Sequence, residues 1–212
     1  AADHHYLVPG GLENAIDVQV EAVRELGMRA MLTRGSMSLG EADGGLPPQQ
    51  TVQQGEVILA DSQRLIHEYH QRGDGAQIQI ALAPCSPFSV TQEIMRQSAE
   101  LAQELDVRLH THLAETLDEE DFCLQRFGLR TVDYLDSVGW LGPRTWLAHG
   151  IHFNPDEIAR LGAAGTGICH CPSSNMRLAS GICPTLDLEA AGAPIGIGVD
   201  GSASNDGSNM IL

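Results

Sequence analysis

The pattern that most constrains the fold is an alternation of amphipathic helices with short apolar runs. Apolar residues recur at helical spacing from Leu12 to Leu26, and Gly27 ends this helix before a first apolar run at 29–33. Further apolar runs, each after a helical stretch, lie at 77–82, 107–112, 145–149, 167–170 and 195–200. Strands that alternate with helices predict βα units and a parallel sheet.

Capping residues predict where two of the helices begin. Ser89 and Gln92 form a capping-box pattern, and Asn154, Pro155 and Glu157 form a strong helix start with proline at the first helical position. A polar loop is expected at 34–50, and other helical stretches are expected at 55–72, 118–137 and 186–191. The residues at 208–212 look like the opening of another helix.

Two architectures fit this alternation, an open doubly wound sheet and a (β/α)₈ barrel. The chain contains neither GxGxxG nor GxxxxGK[ST], the patterns that would favour nucleotide binding on an open sheet. Its polar, chemically capable residues come directly after the apolar runs, which is where a barrel places its active site. The sequence therefore favours an α/β fold with a TIM-like barrel.

Composition limits the kinds of molecule that this chain is expected to bind. With 12 Lys and Arg against 28 Asp and Glu, the formal net charge is −16, which argues against nucleic-acid binding. No apolar run is long enough to cross a membrane. The five cysteines are irregularly spaced and imply no disulfide framework, so a reducing, cytoplasmic setting is expected. A small-molecule substrate is the expected partner.

The ends of successive apolar runs carry residues that suit a metal-dependent hydrolase. His112, His149 and Asp200 end three of the runs, and a catalytic zinc site uses neutral imidazoles and carboxylates while keeping one position open for water. Zinc lowers the pKa of that water to about 7. Glu115, three residues after His112, suits a proton carrier. His110 points to the same side of its strand as His112 and is a further candidate neighbour of the metal. For 169–171, a Cys-His-Cys run, a structural role is favoured over a thiolate site.

Several motifs resemble the amidohydrolase superfamily, in the branch that contains purine deaminases and triazine hydrolases. They are His112-Leu113-Ala114-Glu115, Leu147-Ala148-His149-Gly150, Ser173-Ser174-Asn175 and Val199-Asp200-Gly201-Ser202-Ala203-Ser204-Asn205. Within the branch, the stretches 3–7, 34–40 and 84–88 look most like 8-oxoguanine deaminases and hydroxyatrazine ethylaminohydrolases.

The resemblance implies a role for each of these strand-end residues. His112 would be a zinc ligand from the fifth barrel strand, and Asp200 a ligand from the eighth that also takes a proton from the attacking water. Glu115 would shuttle the proton, and His149 would polarise or orient the attacking hydroxide. Zn²⁺ is the implied cofactor, with Fe²⁺ or another divalent ion as the alternative.

The resemblance also implies that the barrel is incomplete at its N-terminus. The family takes two zinc ligands from a His-x-His pair after its first strand, and this chain lacks that pair. The pattern at 110–112 imitates it, but the residues that follow mark the fifth strand. The whole chain, 1–212, is therefore expected to be one partial barrel domain. It would run from about the end of the second strand to just after the eighth, without the first strand and the β-sandwich domain.

The function implied is hydrolytic deamination of an amino-substituted nitrogen heterocycle, with an 8-oxoguanine-like purine favoured. A zinc-bound hydroxide would attack the ring carbon and release ammonia. One alternative is a triazine amino- or chlorohydrolase. An alternative of another class is a catalytically incomplete fragment or binding protein. The resemblance also implies a homodimer.

Three residues near strand ends are candidates for substrate binding. They are Arg34, Cys85 and Ser86, although Arg34 suits a structural ion pair equally well. Further candidates for substrate contact are His4, His5, Asn175 and Asp206, among which Asn175 is expected to be structural and to tie a loop near the rim.

Overall fold

A computed structural model describes residues 1–205, 207 and 209. The strands are β1 (Ala30–Ser36), β2 (Ile78–Pro84), β3 (Leu109–Leu113), β4 (Thr145–His149), β5 (Gly167–His170) and β6 (Ile195–Ile197). The α-helices are α1 (Ala15–Leu26), α2 (Gly55–Tyr69), α3 (Gln92–Leu105), α4 (Leu117–Phe127), α5 (Thr131–Ser137), α6 (Pro155–Ala164), α7 (Pro172–Arg177) and α8 (Thr185–Ala190). The chain forms two compact units, Ala1–His110 and Thr111–Leu212.

The first unit is built around a parallel pair of strands. β1 and β2 pair along their whole lengths, starting with Ala30 opposite Ile78. An isolated parallel bridge joins Ala2 to Met31. Helices α2 and α3 pack on β2. The apolar side chains buried in this unit include Ile58, Leu65, Ile78, Ile80, Leu82 and Met95.

The second unit carries residues 111–113 of β3 together with β4, β5 and β6. These strands follow one another in chain order in the sheet. The pairings of β4 with β5 and of β5 with β6 are parallel, with Trp146 opposite Gly167 and Ile168 opposite Ile195. Because the strands are parallel, their carboxyl ends meet at one edge of the sheet. His149 is the last residue of β4, and the segment that leads to Asp200 follows β6 at the same edge.

The predicted start of helix α6 is confirmed in detail. The side chain of Asn154 accepts a hydrogen bond from the N–H of Glu157 at 2.9 Å, and the Glu157 carboxylate accepts one from the N–H of Asn154 at 2.8 Å. Pro155 occupies the first helical position, where its missing N–H costs nothing.

The capping box predicted at Ser89 is wrong. Thr91 caps α3, and its hydroxyl accepts from the N–H of Ile94 at 3.3 Å. The Ser89 hydroxyl lies 3.0 Å from that of Ser86, and its carbonyl accepts from the N–H of Leu39 at 3.0 Å. Ser89 therefore belongs to the turn before α3. Its hydroxyl contacts Ser86 and its carbonyl contacts Leu39, and neither group caps the helix.

Other boundaries differ from the prediction for local reasons. The helical stretch expected at 118–137 is two helices, because Gly128 ends α4 in the left-handed conformation, with φ 70°. The last strand ends at Ile197, three residues before Asp200, and α7 lies where no helix was predicted. Of the helix opening predicted at 208–212, only Asn209 lies within the described residues.

The prediction of a parallel α/β fold is confirmed by the strand pairing in both units. Within the described residues, no helix is both long enough and apolar enough to span a membrane. All five cysteines are free thiols, in agreement with the predicted absence of a disulfide framework.

Candidate metal centre

The end of β3 and the turn after it carry two of the predicted site residues. His112 is the fourth residue of β3, and Glu115 follows the strand in a turn in which Ala114 has φ 54°. The backbone of 150–152 supports this turn. The Gly150 N–H donates to the carbonyl of Leu113 at 3.1 Å, and the Ile151 N–H donates to that of Ala114 at 2.9 Å. These hydrogen bonds tie the turn that precedes Glu115 to the segment after β4.

His149 ends β4 and is almost fully buried, with 1% of its surface exposed. Its φ of 72° is left-handed, a conformation that non-glycine residues adopt at a cost. Its Nδ1 lies 2.9 Å from Oδ1 of Asn175 in α7. Because an amide oxygen only accepts hydrogen bonds, Nδ1 carries the proton and Nε2 presents a lone pair.

The free nitrogen of His149 faces two carboxylates. Its Nε2 lies 3.5 Å from Oε2 of Glu115 and 4.0 Å from Oδ2 of Asp200. The ring also stacks on that of His112, with centroids 5.3 Å apart and an interplanar angle of 18°. Four of the predicted site residues therefore meet within the second unit.

Asp200 is held by donors on both of its oxygens. The Ser174 hydroxyl donates to Oδ2 at 2.5 Å, and the N–H of Gly201 donates to Oδ1 at 2.7 Å. Burial raises the pKa of Asp200, but the hydrogen bonds from Ser174 and Gly201, aided by the neighbouring imidazoles of His149 and His112, outweigh it, so the net pKa lies below the ordinary value. The group is kept as a carboxylate, which is the form that binds a cation.

This arrangement fits a divalent metal. One ligand atom each from His112, His149 and Asp200 lies within 4.8 Å of the other two. Imidazole nitrogens and carboxylate oxygens form the donor set of zinc and of several other divalent ions. Since Nδ1 of His149 is used by Asn175, the nitrogen that faces the carboxylates is the one free to meet a cation.

Glu115 has the properties of a proton carrier. Burial is the largest influence on the pKa of its carboxyl group and raises it. The neighbouring His149 lowers this pKa, the charge of Asp200 raises it, and the net shift is upward. A carboxyl group with a raised pKa holds a proton more readily than an ordinary one, which suits a group that must take up a proton and return it. This environment supports the predicted role without testing it.

The three predicted substrate residues lie in the first unit. Arg34 is 1% exposed, and its guanidinium donates to Oδ2 of Asp61 at 2.6 Å, to the carbonyl of Gly35, and to Oε1 of Gln53 at 3.1 Å. These contacts supply the structural ion pair that the sequence also allowed. Its role in substrate binding stays a prediction.

Cys85 and Ser86 follow β2 and are both buried. The Cys85 N–H donates to the carbonyl of Ser36 at 3.0 Å, and the Ser86 hydroxyl lies 3.0 Å from that of Ser89. Their roles in substrate binding also stay predictions. Of the further candidates for substrate contact, Asp206 lies outside the described residues.

His4, near the N-terminus, contacts another candidate. The ring of His4 lies 4.3 Å from that of His110 and 5.0 Å from that of Tyr6, centroid to centroid. Nε2 of His4 lies 3.1 Å from the carbonyl oxygen of Ala83. His110 thus packs within the first unit, and its predicted place beside the metal stays a prediction.

The sequence interpretation did not assign three residues around the site the contacts that they make. Asn175 was a candidate for substrate contact that was expected to be structural and to tie a loop, Ser174 appeared only within a motif, and Glu119 was not singled out. A signal for Glu119 was present, since Thr116 and Glu119 form the Thr-x-x-Glu pattern of a helix start directly after a candidate site.

The chain matches known proteins along its whole length. The Amidohydrolase family matches residues 1–212. The chain is 86% identical to 8-oxoguanine deaminase of Pseudomonas aeruginosa, over 100% of this chain and 47% of that protein. It is 38% identical to hydroxydechloroatrazine ethylaminohydrolase of Pseudomonas sp., over 99% of this chain and 44% of that protein.

A solved structure agrees with these relatives. Atrazine chlorohydrolase of Arthrobacter aurescens TC1, complexed with zinc, superposes with a TM-score of 0.94 at 34% identity, covering 99% of this chain and 46% of that one. The chain belongs to the amidohydrolase family, and the predicted TIM-like barrel fold is thereby confirmed. The chain spans about half the length of the relatives it matches.

Proposed function

We propose that the protein to which this chain belongs is a metal-dependent aminohydrolase that deaminates an amino-substituted nitrogen heterocycle, with an 8-oxoguanine-like purine as the favoured substrate. One observation carries the proposal: the ligand atoms of His112, His149 and Asp200 lie within 4.8 Å of one another, with Glu115 beside them. The relative with 86% identity, named 8-oxoguanine deaminase, supports this choice of substrate.

His112 and Asp200 would hold the cation, and zinc is the proposed ion because a zinc complex is known for a relative of the same fold. Bound zinc supplies a water molecule whose pKa is lowered to about 7, so that hydroxide is available at neutral pH. The other roles belong to side chains of this chain. His149 presents Nε2 toward the reaction centre in an orientation that Asn175 holds.

Glu115 would move the protons of the reaction. Water adds its oxygen to the ring carbon that bears the amine, and the carboxylate of Glu115 takes a proton released in this step. The carboxyl then returns the proton to the amine nitrogen, the carbon–nitrogen bond breaks, and ammonia leaves. The raised pKa of Glu115 suits both halves of this transfer.

A triazine amino- or chlorohydrolase is the second candidate. The names of two relatives, hydroxydechloroatrazine ethylaminohydrolase and atrazine chlorohydrolase, favour it. The two candidates share the same hydrolytic attack and differ in the leaving group, which is ammonia for a purine amine and an alkylamine or chloride for a triazine. Cytoplasmic location and a homodimer stay predictions.

The test uses the longest natural protein that contains this chain, loaded with zinc. It compares 8-oxoguanine, isoguanine, an N-ethylamino hydroxytriazine and a chlorotriazine, and measures ammonia, ethylamine and chloride. Preferential release of ammonia from 8-oxoguanine supports the first candidate. Preferential release of ethylamine or chloride selects the second. A zinc-loaded protein that releases none of these products would leave the non-catalytic binding protein as the better description.

A further inference from the structure

Glu119 is a buried carboxylate directly beneath the turn that carries Glu115. It lies in the first turn of α4 and is 1% exposed. Its Oε1 accepts from the N–H of Ala114 at 2.7 Å, and its Oε2 lies 3.4 Å from the N–H of Glu115. One side chain therefore meets two consecutive backbone amides, one of which belongs to the proposed proton carrier.

These contacts differ from an ordinary capping box. In that motif the acidic side chain at the third helical position returns to the N–H of the N-cap residue, as Glu157 does with Asn154 at 2.8 Å. At α4 the N-cap is Thr116, and the Glu119 carboxylate instead reaches the two residues before it. Its hydrogen bonds thus support the turn after β3 rather than the cap itself.

The turn requires such support because its backbone is unfavourable. Ala114 adopts φ 54°, a left-handed conformation that is unfavourable for a residue with a side chain. The carbonyl of Ala114 accepts from the N–H groups of Ile151 and His152, at 2.9 and 3.0 Å, while Glu119 takes its N–H. Both backbone polar groups of Ala114 are therefore held by partners from other segments.

Burying this carboxyl group is costly, and that cost indicates a specific use. Burial, and to a smaller extent the charge of Glu115, raise the pKa of Glu119 to about 8 against the lowering effect of the Ala114 and Glu115 N–H groups. An apolar residue would fill the same space without this desolvation cost but would leave the two amides unsatisfied.

We propose that Glu119 is a positioning residue: by holding the amides of Ala114 and Glu115, it fixes the direction in which the Glu115 carboxylate leaves β3. The inference rests on the proposed function, because Glu115 is the group whose position it sets. Glu119 itself lies outside the reacting groups and acts through Glu115.

The test is a double-mutant cycle in the longest natural protein that contains this chain. Glu119→Met removes both acceptors at nearly constant volume, and Glu119→Gln keeps one carbonyl acceptor for the Ala114 N–H. Each is made in the parent and in a Glu115→Gln background. Glu157→Met is the matched control, since it removes a buried first-turn carboxylate that caps a helix elsewhere in the same unit.

Glu119→Met should lower kcat roughly 10- to 100-fold with KM and zinc content unchanged, because a small misplacement of a reacting group costs about that much. Glu119→Gln should recover most of this loss. In the Glu115→Gln background Glu119→Met should have no further effect, because the group it positions has lost its chemistry. Glu157→Met should lower the melting temperature and leave kcat unchanged.

A second measurement does not depend on activity. Hydrogen exchange at the amides of residues 114 and 115 should accelerate at least 10-fold in Glu119→Met and remain unchanged in Glu157→Met.

The proposal is overturned if folded Glu119→Met keeps the parental kcat, or if it lowers kcat by the same factor in both backgrounds. If the parent protein turns over no substrate, the proposed function fails. Independently of activity, unchanged hydrogen exchange at residues 114 and 115 in Glu119→Met would overturn the positioning role. If Glu119→Met does not fold, Glu119→Gln carries the test, and accelerated exchange at residue 115 is then the expected result.

Discussion

The imidazole Nδ1 of His149 lies 2.9 Å from Oδ1 of Asn175, and both residues are 1% exposed. The contact decides which ring nitrogen carries the proton, because the amide oxygen accepts the Nδ1–H and leaves the Nε2 lone pair toward Glu115 and Asp200. It also orients the ring at a residue whose backbone is left-handed. The usefulness of His149 at this site therefore depends on a residue 26 positions later in the chain.

Removing this contact should reduce turnover without unfolding the protein. Asn175→Leu keeps the volume and removes the acceptor, so the His149 ring loses its fixed tautomer and orientation. We expect kcat/KM to fall about 10- to 100-fold, as is typical for a partner that orients a metal-site histidine. Steady-state kinetics with a thermal melt would check this. Asn154→Ala is the control, since it removes an N-cap at a cost of about 1 kcal/mol and should leave kcat/KM unchanged. Parental kinetics in folded Asn175→Leu would contradict the expectation.

Ser174 should influence metal affinity through Asp200. Its hydroxyl donates to Oδ2 at 2.5 Å, so Ser174→Ala frees that oxygen to turn away from the cation. Zinc affinity, measured by competition with a chromogenic chelator, should weaken about 10- to 100-fold. The matched control is Ser62→Ala, another buried serine, whose hydroxyl donates to the carbonyl of Ile58 at 2.7 Å. Equal zinc affinities in the two variants would show that Ser174 does not hold Asp200 for the metal.

Glu115→Gln should separate chemistry from metal binding. The amide is nearly the same size but can neither take up nor release a proton near neutral pH, so turnover should fall about 10²- to 10⁴-fold. Zinc content, measured by elemental analysis, should remain that of the parent. Glu93→Gln serves as control, because that side chain is exposed and pairs only with Arg96 among the ion pairs of the described residues. Full activity in Glu115→Gln would refute the proton-carrier role.

Glu119 should make the stability of the protein depend on pH. Its pKa rises from 4.5 to about 8 in the folded protein, with Glu115 and Cys123 as titratable neighbours. A carboxyl group with a raised folded pKa stabilises fully below pH 4.5, and this stability is lost as the pH rises toward 8. The free energy of unfolding should therefore fall by up to about 1.4 kcal/mol per pH unit in this window.

Urea denaturation of the metal-free protein between pH 5 and 8, for the parent and for Glu119→Gln, would measure this. The variant cannot ionise at residue 119, so its stability should decline less steeply with pH than that of the parent. Parallel pH profiles for the two proteins would contradict the raised pKa of Glu119.

Only part of the site could be predicted from the sequence. Local patterns mark some of its residues, whereas the others act through contacts between separate segments. His112, Glu115, His149 and Asp200 could be singled out because each lies at or just after an apolar run, and parallel strands bring such positions to one edge. Ser174, Asn175 and Glu119 act through contacts with backbone or side chains of other segments, and no periodicity marks those contacts. The Thr-x-x-Glu pattern at 116–119 predicts a capping box, in which Glu119 would accept from the N–H of Thr116. In the structure its carboxyl group instead meets the N–H groups of Ala114 and Glu115.

The sequence by itself determined the alternation of helices and strands, the parallel sheet, and which residue types stand at the strand ends. These features are local, since hydrophobic periodicity and capping residues act within a few positions. Only the tertiary structure decided the tautomer of His149, the ionised state of Asp200, and the support of the turn after β3 by Glu119. Each of these depends on burial and on hydrogen bonds between separate segments, which exist only after the chain has folded.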